Sequence, residues 1–266
     1  MKIKRIKLKK LKNTRDLGGL PAYGGKVIRP HCLIRSGQLA KAAPQDIDRL
    51  INEYELGTVI DLRIEAEIRE KSYTLPEGVE YINIPLLDKA YLGITRDEYS
   101  IRSWFNLFED KSRTPEDIFY DMYELLVFGE RSKKLIPEIF DIFLRSDKAV
   151  LWHCSAGKDR VGVVAMLILL ALGVKKEIII DDFIATNRFV AGDIFKTRFF
   201  APLVLRSRWQ RRCLAILMGV KPVYMLRLFD TIENNYDSVE DFFLKQFNIS
   251  SATLEKLRNK FLTEEL

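Results

Sequence analysis

Residues 153–162 read HCSAGKDRVG, and this stretch decides the fold prediction. An apolar run, 149–152, leads directly into its cysteine, and a longer apolar run, 161–172, follows its arginine. The first run has the length of a buried strand, and the second has the length of a buried helix. The stretch is therefore predicted to be a loop between a strand and a helix, with Cys154 at its start and Arg160 at its end.

A loop in this position can bind an anion. Successive backbone N–H groups can point inward at the N-terminus of the helix, and Gly157 permits the backbone angles that such a loop needs. The same N–H groups and the helix dipole favour the thiolate form of Cys154, which would then be a nucleophile. Arg160 could offer a planar pair of N–H groups to two phosphate oxygens. This chemistry needs neither a metal ion nor a cofactor.

The rest of the chain alternates between helix and strand patterns. Apolar residues at i, i+3, i+4 and i+7 predict a helix at 44–54, and short apolar runs predict strands at 58–60 and 79–84. Loop-forming residues dominate 13–43, and a polar stretch at about 90–115 is predicted to be an insertion. Further helices are predicted at about 115–128, 133–145, 222–236, 238–247 and 251–262. This alternation is typical of an α/β fold with a central, mainly parallel sheet flanked by helices, here with a helical C-terminal region.

The composition is that of a soluble globular chain. Of the 266 residues, 47% are hydrophobic and 30% are charged, which excludes a disordered, collagen-like or low-complexity protein. We predict a single domain over residues 1–266. The longest apolar run, 161–174, is shorter than the ~18–20 residues that cross a bilayer.

The N-terminus is strongly basic. Its first twelve residues, MKIKRIKLKKLK, carry seven Lys and Arg interleaved with Ile and Leu. The pattern predicts either a strand with a solvated lysine face or an arm that contacts an anionic membrane surface. A signal-peptide pattern does not follow, and the three cysteines fit a reducing compartment, so we expect a cytoplasmic protein or one exported without a recognisable signal peptide.

The 153–162 loop resembles the active-site loop of cysteine-dependent protein tyrosine phosphatases. It is most similar to the loop of the bacterial atypical tyrosine and phosphoinositide phosphatases. Other stretches resemble motifs of that family in the same order: NTRDLGG at 13–19, LIRSG at 33–37, VIDLR at 59–63 followed by Glu67, and the pattern from 221 to 236. The resemblance implies a tyrosine-phosphatase-like α/β fold over nearly the whole chain.

The resemblance also implies catalytic roles. Cys154 would attack phosphorus, and Arg160 would hold the phosphate. Asp159 is the expected general acid, because a leaving oxygen needs a proton and a nearby carboxyl group is the natural donor. Asp61 and Asp88, near strand ends, are the alternative acids. The remaining substrate-binding positions would be Ser155, Ala156, Gly157, Lys158 and Arg63.

Several polar residues outside the loop have two interpretations. His153 is expected to order the loop and support the thiolate by hydrogen bonding, and the alternative is a base for Cys154. Arg15, Asp16 and Arg35 would either contact the substrate or form buried ion pairs that tie the N-terminal loop to the sheet. Asp16 is accordingly expected to support the site.

One residue departs from the family pattern. A threonine usually follows the loop arginine, and its hydroxyl group hydrogen-bonds the departing thiolate, whereas this chain has Val161. We expect an active phosphatase with slower or differently assisted turnover. The alternative is a catalytically impaired protein that binds phosphotyrosine or phosphoinositide. A sulfurtransferase or an arsenate reductase is disfavoured by the motifs at 13–19 and 61–63.

The expected substrates follow from charge. In the family, the position of Lys158 is associated with phosphoinositide head groups, so its ammonium is expected at the rim of the loop. Residues 196–221 carry seven Lys and Arg and no acidic residue. They form either a solvated helix pair or, within 190–220, a lid of the kind found in the family or a contact with anionic lipid. We therefore expect phosphoproteins or phosphoinositides as substrates, and no nucleic acid partner.

Overall fold

A five-stranded sheet lies at the centre of the computed structural model, which describes residues 3–87, 114–205 and 207–264. Its strands are β1 (Arg15–Asp16), β3 (Leu33–Ser36), β4 (Leu56–Asp61), β5 (Glu80–Asn83) and β6 (Ala149–His153), in the order β1-β3-β6-β4-β5. Strand β1 is antiparallel to β3, and the other neighbours are parallel, so the predicted mainly parallel sheet is confirmed. The short strands β2 (Val27–Ile28) and β7 (Leu262–Thr263) pair separately.

Helices surround the sheet, and we number them along the described residues. They are α1 (Pro44–Tyr54), α2 (Glu65–Glu70), α3 (Pro115–Phe128), α4 (Glu130–Arg145), α5 (Asp159–Ala171), α6 (Lys176–Phe189), α7 (Ala191–Val204), α8 (Arg208–Met218), α9 (Pro222–Asn235), α10 (Val239–Phe247) and α11 (Ser251–Phe261). Helix α4 begins earlier than predicted, since the carbonyl of Gly129 already accepts the N–H of Lys133 at 3.1 Å. None of these helices combines the length and the apolar character needed to cross a bilayer.

Strand β6 is buried on both faces, which fixes where the loop emerges. Val150 and Trp152 belong to the large core around α5, whereas Leu151 belongs to a smaller core that α1 and the N-terminal segment cover. Both sides of the strand would lose their packing if its register shifted by one residue. The loop after β6 therefore leaves the sheet at a defined point, beside the carboxyl ends of β3 and β4.

The N-terminal segment does not form the predicted strand. Instead, the backbone N–H groups of Lys9, Lys10 and Leu11 converge on the carboxylate of Asp46 in α1, at 2.5, 2.9 and 3.2 Å. Ile3, Ile6 and Leu11 are buried, and the lysines face solvent. The alternation of apolar and basic residues does give the segment two faces, but its backbone N–H groups bind a side chain rather than a neighbouring strand. Most of the predicted insertion at 90–115 lies outside the described residues.

Candidate active site

The loop after β6 is held from outside by polar side chains. Asn13 Nδ2 donates to the carbonyl of Gly157 at 2.7 Å, and Arg35 Nη2 donates to the same oxygen at 3.3 Å. Gly157 has a φ of 68°, and a Cβ at this position would lie 2.5 Å from the carbonyl oxygen of Ser36, so only glycine fits. Its N–H points the other way and donates to Cys154 Sγ at 3.3 Å. The sulfur therefore lies inside the curve of the loop, next to a backbone donor.

Arg160 lies in the first turn of α5, and Glu67 of α2 fixes its guanidinium. Glu67 Oε2 accepts from Nη1 at 2.6 Å, and Oε1 accepts from Nη2 at 2.8 Å. The carbonyl of Leu62 accepts a further hydrogen bond from Nη1 at 3.1 Å. Among the described contacts, these bonds use three of the five N–H groups of the guanidinium. The Nε–H and one Nη2–H remain side by side, and this edge can contact two phosphate oxygens.

Each carboxylate oxygen of Glu67 accepts two hydrogen bonds. In addition to the two bonds from Arg160, the carboxylate accepts hydrogen bonds from Ser155 Oγ at 2.5 Å and from the N–H of Ile64 at 3.1 Å. Burial would raise its pKa, but the hydrogen bonds and charge of Arg160 lower the pKa of Glu67 to about 2. Burial would lower the pKa of Arg160, yet the charges of Cys154 and Glu67 raise it. In the sequence alone, Glu67 is one residue of a motif, and nothing there indicates its role at the site.

Asp159, the first residue of α5, is oriented by a buried tyrosine. Tyr123 of α3 donates its hydroxyl to Asp159 Oδ1 at 2.6 Å, and its ring stacks on Tyr224 at 4.9 Å. Burial and the charge of Asp159 raise the pKa of Tyr123 well above its ordinary value, so the phenol keeps its proton. Within the described contacts, Oδ2 of the half-buried Asp159 has no hydrogen-bond partner in the protein. This geometry suits a general acid.

Asp61 and Arg63 lie deeper and bind each other. Arg63 Nε and Nη2 donate to the two oxygens of Asp61, at 3.0 and 2.7 Å, and Tyr81 donates to the same carboxylate at 3.0 Å. Burial would raise the pKa of Asp61, but the hydrogen bonds of Arg63 and the charges of His153 and Arg63 lower it. A buried carboxylate that stays ionised is a poor proton donor, so the geometry favours Asp159 over Asp61. Arg63 also donates to the carbonyl of Lys71 at 2.8 Å.

His153 is fully buried at the end of β6. Its Nε2 lies 2.5 Å from the hydroxyl of Tyr73, and its Nδ1 lies 3.3 Å from the carbonyl oxygen of Cys154. Burial lowers the pKa of His153 to about 4, so the ring is neutral near neutral pH. These contacts place His153 against the backbone of the loop, where it can order the cysteine.

Two arginines and one aspartate form a buried ion-pair cluster beneath the loop. Asp182 of α6 accepts from Arg15 Nε at 2.6 Å and from Arg35 Nη1. All three side chains are at most 1% exposed, and two positive charges face one negative charge. Burial and the neighbouring Arg15 lower the pKa of Arg35 to about 10. The excess positive charge favours an anion in the loop, because Arg35 also contacts Gly157.

The remaining predicted site residues occupy different surroundings. Ala156 is exposed and Ser155 is half-buried, whereas Lys158 is only 6% exposed and so does not extend freely from an open rim. Asp16 accepts from the N–H groups of Gly18 and His31 at 2.9 and 2.8 Å. It therefore holds the loop between β1 and β3 and does not contact the catalytic loop. Asp88 lies outside the described residues.

Comparison with known proteins identifies the family of the chain. The model of a tyrosine phosphatase family matches residues 6–263. The chain belongs to this tyrosine phosphatase family. The triple specificity protein phosphatase PtpB of Mycobacterium tuberculosis is 32% identical in an alignment of 274 positions that covers 94% of this chain and 96% of PtpB. A protein of Cupriavidus necator assigned to the tyrosine-protein phosphatases is 32% identical over 181 residues, which cover 67% of this chain and 61% of that protein.

A solved structure, the Siw14 catalytic core, covers 86% of this chain and 96% of its own, with 10% identity and a TM-score of 0.29. Family membership and the strand order agree with the predicted tyrosine-phosphatase-like α/β fold. Within the described residues, no three or more His, Cys, Asp or Glu side chains form a group that could hold a metal ion. The chain is therefore a member of a phosphatase family, and the loop, Glu67 and Asp159 form its candidate site.

Proposed function

We propose that this protein hydrolyses phosphomonoesters through a cysteinyl-phosphate intermediate. The observation that supports this most strongly is the position of Cys154, whose sulfur accepts the Gly157 N–H at 3.3 Å at the entrance to α5. In the first step, the Cys154 thiolate attacks phosphorus while the open edge of Arg160 holds two phosphate oxygens. The bond from phosphorus to the leaving oxygen breaks, and that oxygen takes the proton from Asp159.

The second step regenerates the enzyme. A water molecule attacks the phosphorus of the intermediate and gives a proton to Asp159, and the sulfur–phosphorus bond breaks to return the thiolate and release inorganic phosphate. The hydrogen bond from Tyr123 keeps the Asp159 carboxyl in one orientation through both steps. Arg160 stays in place because Glu67 binds the other edge of its guanidinium.

For substrates, we propose phosphotyrosine proteins, phosphoinositides or both, with phosphoserine and phosphothreonine as further candidates. The name of PtpB as a triple specificity protein phosphatase supports a broad range. The net positive charge beneath the loop favours anionic substrates in general. A panel of phosphopeptides, phosphoinositides and inositol phosphates, each assayed for released phosphate, distinguishes these classes.

Val161 favours a second candidate function, a binding protein with impaired turnover. Its side chain is fully buried, and its carbonyl accepts from Trp152 Nε1 at 3.2 Å, so this position supports the core rather than the thiolate. Such a protein would bind phosphate or vanadate in the loop but release little product.

Hydrolysis of p-nitrophenyl phosphate separates the two candidates. We expect turnover that a chelator does not change and that vanadate blocks. Cys154→Ser should abolish it, and Arg160→Lys should reduce it strongly, because a point charge cannot replace a two-pronged contact. Cys32→Ser is the matched control, since Cys32 is half-buried at the opposite end of the neighbouring strand. Vanadate binding without turnover in the wild type would favour the binding protein, and activity in Cys154→Ser would refute the cysteinyl mechanism.

A further inference from the structure

Helix α7 exposes three phenylalanine rings to solvent. Phe195, Phe199 and Phe200 are 69%, 63% and 56% exposed. Phe195 and Phe199 stack at 6.3 Å, and Phe199 meets Phe200 edge to face at 5.2 Å, so the rings form one continuous surface, which we call the aromatic face. Single exposed apolar residues are common, but a contiguous exposed group indicates an interaction site.

A basic segment is attached to the helix that carries the aromatic face. It consists of residues 4–12, whose exposed cations are Lys4, Arg5, Lys7, Lys9, Lys10 and Lys12. Lys12 Nζ binds Asp193 in the first turn of α7 at 2.7 Å, and Arg188, at the end of α6, binds the carbonyl of Ile3. The two ends of the basic segment are thus attached to the helices that carry and precede the aromatic face.

The cations of the basic segment are mostly uncompensated. Among the described ion pairs, Lys12 is the one member with an acidic partner. The carboxylate of Asp46 accepts three backbone N–H groups of the segment rather than a lysine side chain. The buried side chains of Ile3, Ile6 and Leu11 hold the segment on the protein while the charges face outward. The result is a fixed array of positive charge beside exposed aromatic rings.

The basic segment also contacts the outer side of the catalytic loop. Asn13 directly follows the basic segment, and its side chain donates to the carbonyl of Gly157. The backbone carbonyl of Lys12 lies 3.4 Å from where a Cβ of Gly37 would be, and Gly37 in turn adjoins the loop. The end of the basic segment is therefore joined to the outer side of the catalytic loop.

We infer that the aromatic face and the basic segment together form a docking surface for an anionic lipid bilayer. Aromatic rings enter the interfacial layer of a membrane, and lysines beside them bind anionic head groups. Charge favours this occupant over a second copy of the chain, because two copies meeting through this surface would bring two basic segments together. The inference concerns location at a membrane and holds whether the substrate is a lipid or a membrane-bound phosphoprotein.

The size of the effect follows from the parts. Each engaged cation contributes a factor of about five in affinity, which is screened as salt is added. Each ring that leaves water contributes a factor of about ten. Changing all three phenylalanines to serine should therefore weaken vesicle binding by at least about a hundredfold.

Co-sedimentation with vesicles of phosphatidylcholine, with and without phosphatidylserine, tests the inference. We expect binding that requires phosphatidylserine and weakens with salt. The triple serine variant of the aromatic face should lose binding, whereas Leu244→Ser, which removes a half-exposed apolar residue from α10, should not. Changing Lys7 and Lys10 to serine should weaken binding by at least about tenfold, whereas the same changes at the exposed Lys134 and Lys256 should have little effect.

Two further measurements separate the outcomes. Hydrolysis of p-nitrophenyl phosphate without vesicles should be unchanged in all of these variants, so that loss of docking is distinct from loss of catalysis. Light scattering measures the mass of the free protein. Binding that is independent of phosphatidylserine, or unchanged in the triple variant, would overturn the inference. If the wild type does not bind vesicles and is a dimer, and the triple variant is a monomer, the aromatic face binds a second copy of this chain instead.

Discussion

Changing Glu67 to glutamine should impair both stability and catalysis. The carboxylate accepts four hydrogen bonds, two of them from Arg160, and both partners are nearly buried, at 5% and 8% exposed. A glutamine NH₂ group would face two N–H or O–H donors and would leave the Arg160 charge without its partner. Neutralising one member of a buried pair costs about 3–5 kcal/mol, so we expect a loss of about 3 kcal/mol in the free energy of unfolding.

The catalytic loss follows from the freed guanidinium. Without Glu67, nothing on α2 holds the open edge of Arg160 toward the loop, and a displacement of about 1 Å in a catalytic group typically costs about a hundredfold in rate. We therefore expect kcat/KM for p-nitrophenyl phosphate to fall by about that factor, measured at a temperature where urea titration shows the variant to be folded. Glu65→Gln is the matched control, since Glu65 lies on the same helix and pairs with Arg69 in solvent. A folded Glu67→Gln protein with wild-type kcat/KM would refute the positioning role.

Three other predictions concern the acid, the departing thiolate and pH. Asp159→Asn should slow hydrolysis of phenyl phosphate by about a hundredfold and of p-nitrophenyl phosphate much less, since nitrophenolate leaves without a proton; equal losses would indicate a purely structural Asp159. Val161→Thr should accelerate breakdown of the phosphoenzyme in single-turnover assays, and a slower enzyme would mean that the pocket is fitted to valine. Burial lowers the pKa of His153 from 6.5 to about 4, so the unfolded state binds more protons between these values and stability is lost as pH falls through them. Denaturant titrations should show a decrease of about 2 kcal/mol between about pH 8 and pH 5, which His153→Asn should remove; an unchanged dependence in that variant would contradict it.

The strand, loop and helix around Cys154 could be predicted because their signals are local. Apolar runs at 149–152 and 161–172 mark the strand and the helix, and nearly all residues of β6 and α5 are buried in the structure. Gly157 has the positive φ that the loop prediction required. In these segments, the residue pattern and the tertiary environment favour the same structure, so sequence reasoning succeeds.

The local signal for strand β3 is much weaker. It is four residues long, lies within a stretch rich in glycine and proline, and includes Arg35 and Ser36. Its inner position depends on two partners that are distant in sequence: Asp182, which neutralises Arg35, and Thr14, whose hydroxyl lies 2.7 Å from that of Ser36. Polar residues favour the prediction of a loop unless their buried partners are known.

The role of Glu67 was missed for a similar reason. Its spacing within α2 indicates an ordinary capping residue, and it does accept from the N–H of Ile64. Its contact with Arg160 joins residues that are far apart in the chain and has no periodic signature. By contrast, the Asp159 prediction depended on a neighbouring residue of the loop itself, and the structure added Tyr123 as the group that orients it.

Rapid quenching of the reaction with radiolabelled p-nitrophenyl phosphate tests the cysteinyl mechanism most directly. The label is located by peptide mass spectrometry after digestion. We predict a phosphate group on the Cys154 sulfur in the wild type during the first turnover, and no label in Cys154→Ser. Release of a full equivalent of nitrophenol without label on Cys154, or label on another residue, would contradict the mechanism.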